Sequence, residues 1–109
     1  MNYNVLPIPP FDRQLKRLIK KYASLKGEFA GLIKSLEKSP GQGIALGNSC
    51  FKIRLPIASI GKGKSGGARV ITNFVVSGDT VYLLAIYDKG EQENLTDKEL
   101  NELLKFVPL

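Results

Sequence analysis

CFKIRLPI, residues 50–57, is the stretch that decides the fold. Phe51, Ile53, Leu55 and Ile57 alternate with Cys50, Lys52, Arg54 and Pro56, a period of two that reads as a half-buried β-strand. Upstream of it the apolar residues recur at helical spacing. Downstream they fall into further strand-like runs. A chain that passes from helices to a sheet in this way is of the α+β class. The alternation also sorts charge: Lys52 and Arg54 point to one face, opposite the core.

Immediately upstream lies GQGIALGNS, residues 41–49, read as a glycine-rich connection. Before it, Leu25, Phe29, Leu32, Ile33 and Leu36 form one apolar stripe of a helix that Pro40-Gly41 ends. Ser24 is its N-cap by residue type, and Glu28 stands one residue too late for a capping box. Gly27 and Gly31 weaken this helix and leave room for close packing. An earlier helix repeats the spacing with Phe11, Leu15, Leu18, Ile19 and Tyr22. Pro10 and Asp12 suit its first turn, Lys20 and Lys21 its last. The two helices form an αα-hairpin. YNVLPI, residues 3–8, reads as a short strand that Pro7 confines to an edge or a strand end.

Downstream, ARVITNFVVS and TVYLLAIY read as two strands joined at Ser77-Gly78-Asp79, a hairpin signal. Val81 to Tyr87 is apolar on both faces, as in a strand covered on both sides. Leu95, Leu100, Leu103 and Leu104 mark a third helix with Thr96 or Asp97 as its cap; Glu99 and Glu102 face solvent. The expected architecture is an N-terminal edge strand and an αα-hairpin packed on an antiparallel sheet, with a C-terminal helix, as one domain over residues 1–109.

The 109 residues are 43% hydrophobic and 24% charged, a globular composition. No apolar run reaches the ~20 residues that cross a bilayer, and MNYNVLPIPP lacks the basic and apolar regions of a signal peptide. A cytoplasmic protein with no membrane partner is expected. The single cysteine, Cys50, excludes an internal disulfide framework, and the absence of histidine excludes imidazole zinc sites. No cofactor or metal is expected. The net charge of +6 is unevenly spread: Arg13 to Arg69 holds 13 Lys/Arg against 2 Asp/Glu, the remainder 3 against 8. A basic two-thirds suggests a polyanion such as nucleic acid, although lysine-rich solvated helix faces would give the same count.

GKGKSGGAR, residues 61–69, packs three cations among four glycines. Gly63-Lys64-Ser65 imitates the end of a phosphate-binding P-loop. That motif needs a glycine where Ala58 stands and a helix where a strand follows, so nucleoside triphosphate binding is rejected. A flexible hairpin tip made soluble by lysines would explain the composition. The flanks add a second reading. In an antiparallel pair joined through residues 58–68, Arg54 and Arg69 can be neighbours on one face, with Lys52, Lys62 and Lys64 near the same end. Like charges gathered on a sheet cost stability unless an anion joins them, which points to a polyphosphate ligand.

These residues carry a family resemblance. Arg13–Leu18 before the Tyr22, Ser24-Leu25-Lys26 helix turn, then Phe51-Lys52-Ile53-Arg54, then Gly61 to Ile71, then Tyr82 to Leu95 resemble the RelE/ParE toxin superfamily. The GKGKSGGARVI block and the ending after Tyr87 look most like its HigB-type branch. The resemblance covers nearly the whole chain. It implies a RelE-like fold and the toxin of a type II toxin–antitoxin pair, with a cognate antitoxin of helix-turn-helix type. Many members act as ribosome-dependent messenger RNA endonucleases, with ribosome and mRNA as partners. The ParE-like ones inhibit DNA gyrase and cut nothing.

By position, the resemblance makes Lys52 and Arg54 the basic strand residues of the ribonucleases and Arg69 the arginine on the scissile phosphate. Gly90 and Thr96 stand where some ribonucleases have an arginine and a tyrosine; Lys89 and Tyr87 are the nearby replacements. Lys62 and Lys64 belong to the branch's loop motif. The expected catalytic residues are Arg69, Arg54 and Lys52, and the expected RNA contacts are Lys62, Lys64, Lys89 and Tyr87. The chemistry is feasible without histidine. A lysine becomes a base when neighbouring cations lower its pKa, and arginine clamps phosphate while staying charged. Tyr22 and Tyr82 read as packing residues, and Tyr87 as either core or a base-stacking ring. Cys50 reads as a small packing residue. Asp88, Glu91 and Glu93 read as surface charge, with a structural role at the sheet–helix junction as the alternative.

Overall fold

The computed structural model describes residues 2–60 and 66–108. The element order is β1 (Asn4–Pro7), α1 (Pro9–Lys21), α2 (Leu25–Lys38), β2 (Ile44–Gly47), β3 (Cys50–Leu55), a 3-10 turn (Ala58–Ile60), β4 (Ala68–Phe74), β5 (Thr80–Asp88) and α3 (Asp97–Leu104). Three helices pack on one five-stranded sheet ordered β1-β5-β4-β3-β2, which is the expected α+β architecture.

Two features of the sheet differ from the expectation. The N-terminal strand is indeed an edge, but it pairs in parallel with β5, Asn4 opposite Thr80 through Pro7 opposite Leu83. The sheet is therefore mixed. A parallel neighbour requires a long crossover, and everything between β1 and β5 supplies it. The second difference is β2, which lies inside the stretch read as a connection. It forms the other edge and joins β3 through Asn48-Ser49, both at positive φ, 53° and 59°. Two left-handed central residues are the geometry of a tight hairpin turn.

α1 carries Pro9 and Pro10 in its first turn and buries Phe11 and Leu18; α2 buries Leu25, Leu32 and Leu36. These side chains cover the sheet face of Ile53, Leu55, Val70 and Ile86, all buried. Ser24 precedes α2 but makes no capping bond, because its own backbone is helical. α3 packs against β5, with Leu100 buried. Its Thr96 makes the full capping box with Glu99. β5 thus has helices on both sides, which explains its lack of polar alternation. One extra residue, Leu84, sits between the pairs Thr72–Leu83 and Ile71–Ala85, a β-bulge. Among the described residues no helix is long and apolar enough to cross a membrane.

Candidate active site

The pleat of β3 places Lys52 and Arg54 on the face away from Ile53 and Leu55, as the alternation requires. Arg54 is exposed and stands directly opposite Arg69 of β4, and Arg69 stands opposite Tyr87 of β5. The three form one row across the sheet. Lys52 opens the next row, opposite Ile71. Adjacent strands are roughly 5 Å apart, so the cationic side chains share one patch. Arg69 is half-buried, and its Nη1 donates to the Ala68 carbonyl at 3.2 Å and, at the limit of a hydrogen bond, to the Gly66 carbonyl at 3.5 Å. Among the described residues its other guanidinium donors have no partner.

Tyr87 is in the row, yet only 5% exposed. Burial raises its hydroxyl pKa, Arg69 opposes that rise and Glu99 adds to it. The hydroxyl finds no hydrogen-bond partner among the described residues. In this conformation the ring is inside rather than presented for stacking on a base. Lys89 is half-buried just beyond the end of β5, and its backbone N–H donates to the Gly67 carbonyl at 3.0 Å. Lys62 and Lys64 lie outside the described residues.

Both roots of the segment that carries those lysines are anchored. On one side Glu28 accepts from the Ala58 N–H at 2.8 Å, and Ser24 Oγ accepts from the Ser59 N–H at 3.0 Å. On the other, Gly67 has φ +92°, and a Cβ there would lie 2.8 Å from the Leu55 carbonyl. Only glycine enters β4 so close to β3.

Gly90 and Thr96 serve the backbone. The Gly90 N–H donates to Asp88 Oδ1 at 2.8 Å, and Thr96 caps α3. Tyr82 packs against the core, and Cys50 is buried, its thiol pKa pushed up by burial. Among the described residues no three Cys, Asp or Glu side chains converge to hold a metal ion.

A groove of about 790 Å³ runs between α1 and α3 along β5. It meets the cationic row only at Tyr87. Arg13 and Arg17 line one wall, and Glu99 and Glu102 the other.

The acidic cluster at the end of β5 has its partners on α1. Arg17 and Lys21 of α1 bond Glu91 at 2.8 and 3.1 Å. Those bonds, Arg17 first, hold the Glu91 carboxyl down at about 2. Tyr22, read as packing, donates its hydroxyl to Asp88. The i, i+4 position of Lys21 after Arg17 was the available signal; the partner, some 70 residues away, was not.

A family model described as the RelE toxin of the RelE / RelB toxin-antitoxin system matches residues 12–107. Among solved structures, a mutant of the E. coli toxin RelE in its free state aligns with a TM-score of 0.66 at 14% identity, over 99% of this chain and 100% of that one.

Proposed function

The chain belongs to the RelE toxin family, and from that premise we propose that it cuts messenger RNA on the ribosome. Family membership makes it a toxin of a toxin–antitoxin system and implies an antitoxin partner. The finer reading rests on one observation: Arg54 and Arg69 stand directly opposite each other on neighbouring strands, with Lys52 two residues along. Two arginines held together in this way repel. A phosphodiester between them removes the repulsion and accepts their paired N–H donors.

In the proposed reaction the RNA 2′-oxygen attacks the adjacent phosphorus and loses its proton. Negative charge builds on the phosphorane, and the 5′-oxygen departs with a proton. Arg69 binds the phosphate and stabilises the charge that develops there, the largest contribution such a site makes. Arg54 and Lys52 position the strand, and Lys52 is the candidate for taking the 2′-proton. Lys89 and Tyr87 are the candidates for protonating the leaving oxygen. Burial raises the Tyr87 hydroxyl pKa, so it is protonated but a weaker acid than a free phenol. Lys62 and Lys64 add loop contacts to the RNA, and a helix-turn-helix antitoxin neutralises the toxin.

One observation favours a second reading. Gly90 and Thr96 are committed to a turn and a helix cap, so the late arginine and tyrosine have no counterpart there. A toxin without them acting on DNA gyrase or another protein target, as ParE-like members do, would keep the fold and need no proton donor.

Primer extension on a messenger under translation in a purified system separates the two. The expected result is new 3′ ends that require ribosomes and vanish with Arg69→Ala. A growth-arresting wild type that makes no new ends overturns the ribonuclease reading in favour of a protein target.

A further inference from the structure

Asp88 ends β5 with a side chain 7% exposed. A carboxylate so far from water is costly unless its oxygens are satisfied. Here both are. Oδ2 accepts the Tyr22 hydroxyl and lies 3.6 Å from Lys21 Nζ; Oδ1 accepts the Gly90 N–H at 2.8 Å. Tyr22 and Lys21 form the C-terminal end of α1. Asp88 therefore ties the end of that helix to the end of a central strand.

The same strand end holds the entry to β4. Asp88 pairs with Ala68, and the Lys89 N–H bonds the Gly67 carbonyl at 3.0 Å. Gly67 is wedged against the Leu55 carbonyl of β3. Arg69 follows two residues later, with its guanidinium resting on the Ala68 and Gly66 carbonyls. The carbonyls that orient the arginine belong to residues flanking or within the segment that Asp88 and Lys89 pin. The backbone rungs would form without a buried charge. What the carboxylate adds is a fixed distance between α1 and this corner of the sheet.

We propose that Asp88 is a positioning residue for Arg69: through Tyr22 and Lys21 it anchors the end of β5, and through the Ala68 and Gly67 rungs it sets where the guanidinium is presented. This rests on the ribonuclease reading for its catalytic consequence, but not for its geometry. Glu91 is a different case. Its bonds to Arg17 and Lys21 are on the outside, with 37% of its side chain exposed, and they leave the Asp88 contacts in place.

The test uses the whole toxin with Tyr22→Phe, Asp88→Asn and Glu91→Gln, each shown to be folded by circular dichroism well below its melting temperature. Amide hydrogen exchange is read first. The expected result is exchange at least ten-fold faster at Arg69 and Lys89 in Tyr22→Phe and Asp88→Asn, with Val70 and Glu91→Gln within two-fold of wild type. Unchanged exchange in both variants overturns the proposal whatever the activity. Ribosome-dependent cleavage is read second. A roughly ten-fold lower kcat with KM unchanged supports positioning, because a loss of folded protein would be absent at that temperature. Faster exchange with wild-type cleavage overturns it. A wild type that cuts no messenger overturns the ribonuclease reading instead, and the exchange data then decide the anchoring alone. If Asp88→Asn fails to fold, Tyr22→Phe, which removes one hydroxyl, carries the test.

Discussion

Arg54 and Arg69 stand directly opposite one another on adjacent antiparallel strands. Like charges in that relation destabilise a sheet by roughly 0.2–1 kcal/mol. A position that costs stability and, in the proposed function, binds a phosphate is a place where function and fold pull apart. Arg54→Gln is therefore expected to raise the urea midpoint slightly and to lower messenger cleavage ten-fold or more. Denaturation and primer extension on the same preparation check both halves. A variant that is less stable and fully active would mean that the pair serves the fold.

Gly67 carries a second expectation. Its φ of +92° and the 2.8 Å approach to the Leu55 carbonyl leave no space for a methyl group. Gly67→Ala must shift β3 from β4 or adopt another backbone, at a cost of about 1–3 kcal/mol. Gly47 is the control. It also has positive φ, at +91°, but nothing lies near its Cβ, so Gly47→Ala is expected to cost less in the same urea titration.

Glu91 makes acid sensitivity predictable in sign. Its pKa is about 2 folded and about 4.5 free. The folded state therefore binds the proton less readily than the unfolded one. The stabilisation is complete above pH 4.5 and fades as pH falls toward 2. Both partners of the Arg17–Glu91 pair are substantially exposed, so the effect is small and weakens with salt. The difference in urea midpoint between wild type and Glu91→Gln, followed from pH 7 to pH 2, is expected to shrink over that window. A difference that grows on acidification would contradict the assignment.

Thr96 is the fourth case. Its hydroxyl accepts the Glu99 N–H at 3.1 Å, and Glu99 returns the bond to the Thr96 N–H at 3.0 Å. α3 has only eight residues, so it depends heavily on its cap. Thr96→Ala is expected to cost about 1 kcal/mol, with the loss concentrated in faster amide exchange over α3. Thr96→Ser, which keeps the oxygen, should restore most of it.

The elements that were legible in the sequence are those with a repeating apolar pattern. Phe11 to Tyr22 and Leu25 to Leu36 announce helices because one face must be buried. Ile53 and Leu55 announce a strand, and Lys52 and Arg54 fall on its other side, for the same reason. Ile44–Gly47 buries nothing, all four residues being exposed. It has no pattern to read, and its hairpin is signalled only by Gly47-Asn48-Ser49. Tyr22 looked like one more apolar contact, because a ring on a helix stripe packs whether or not its hydroxyl has a partner.

Residue spacing along the chain sets the period of each segment, and so which side chains share a face. That information is local, set by 3.6 residues per helical turn and two per strand repeat. Tertiary structure alone decided the register and the neighbours. A connection through residues 58–68 allows several pairings of β3 with β4. The one that buries Ile53 against Val70 is the one that sets Arg54 against Arg69. Parallel pairing of β1 with β5 brings α1 alongside the last strand, and only then does Tyr22 meet Asp88, 66 residues away. Contacts of that span depend on how the whole core closes, and no short stretch of chain encodes them.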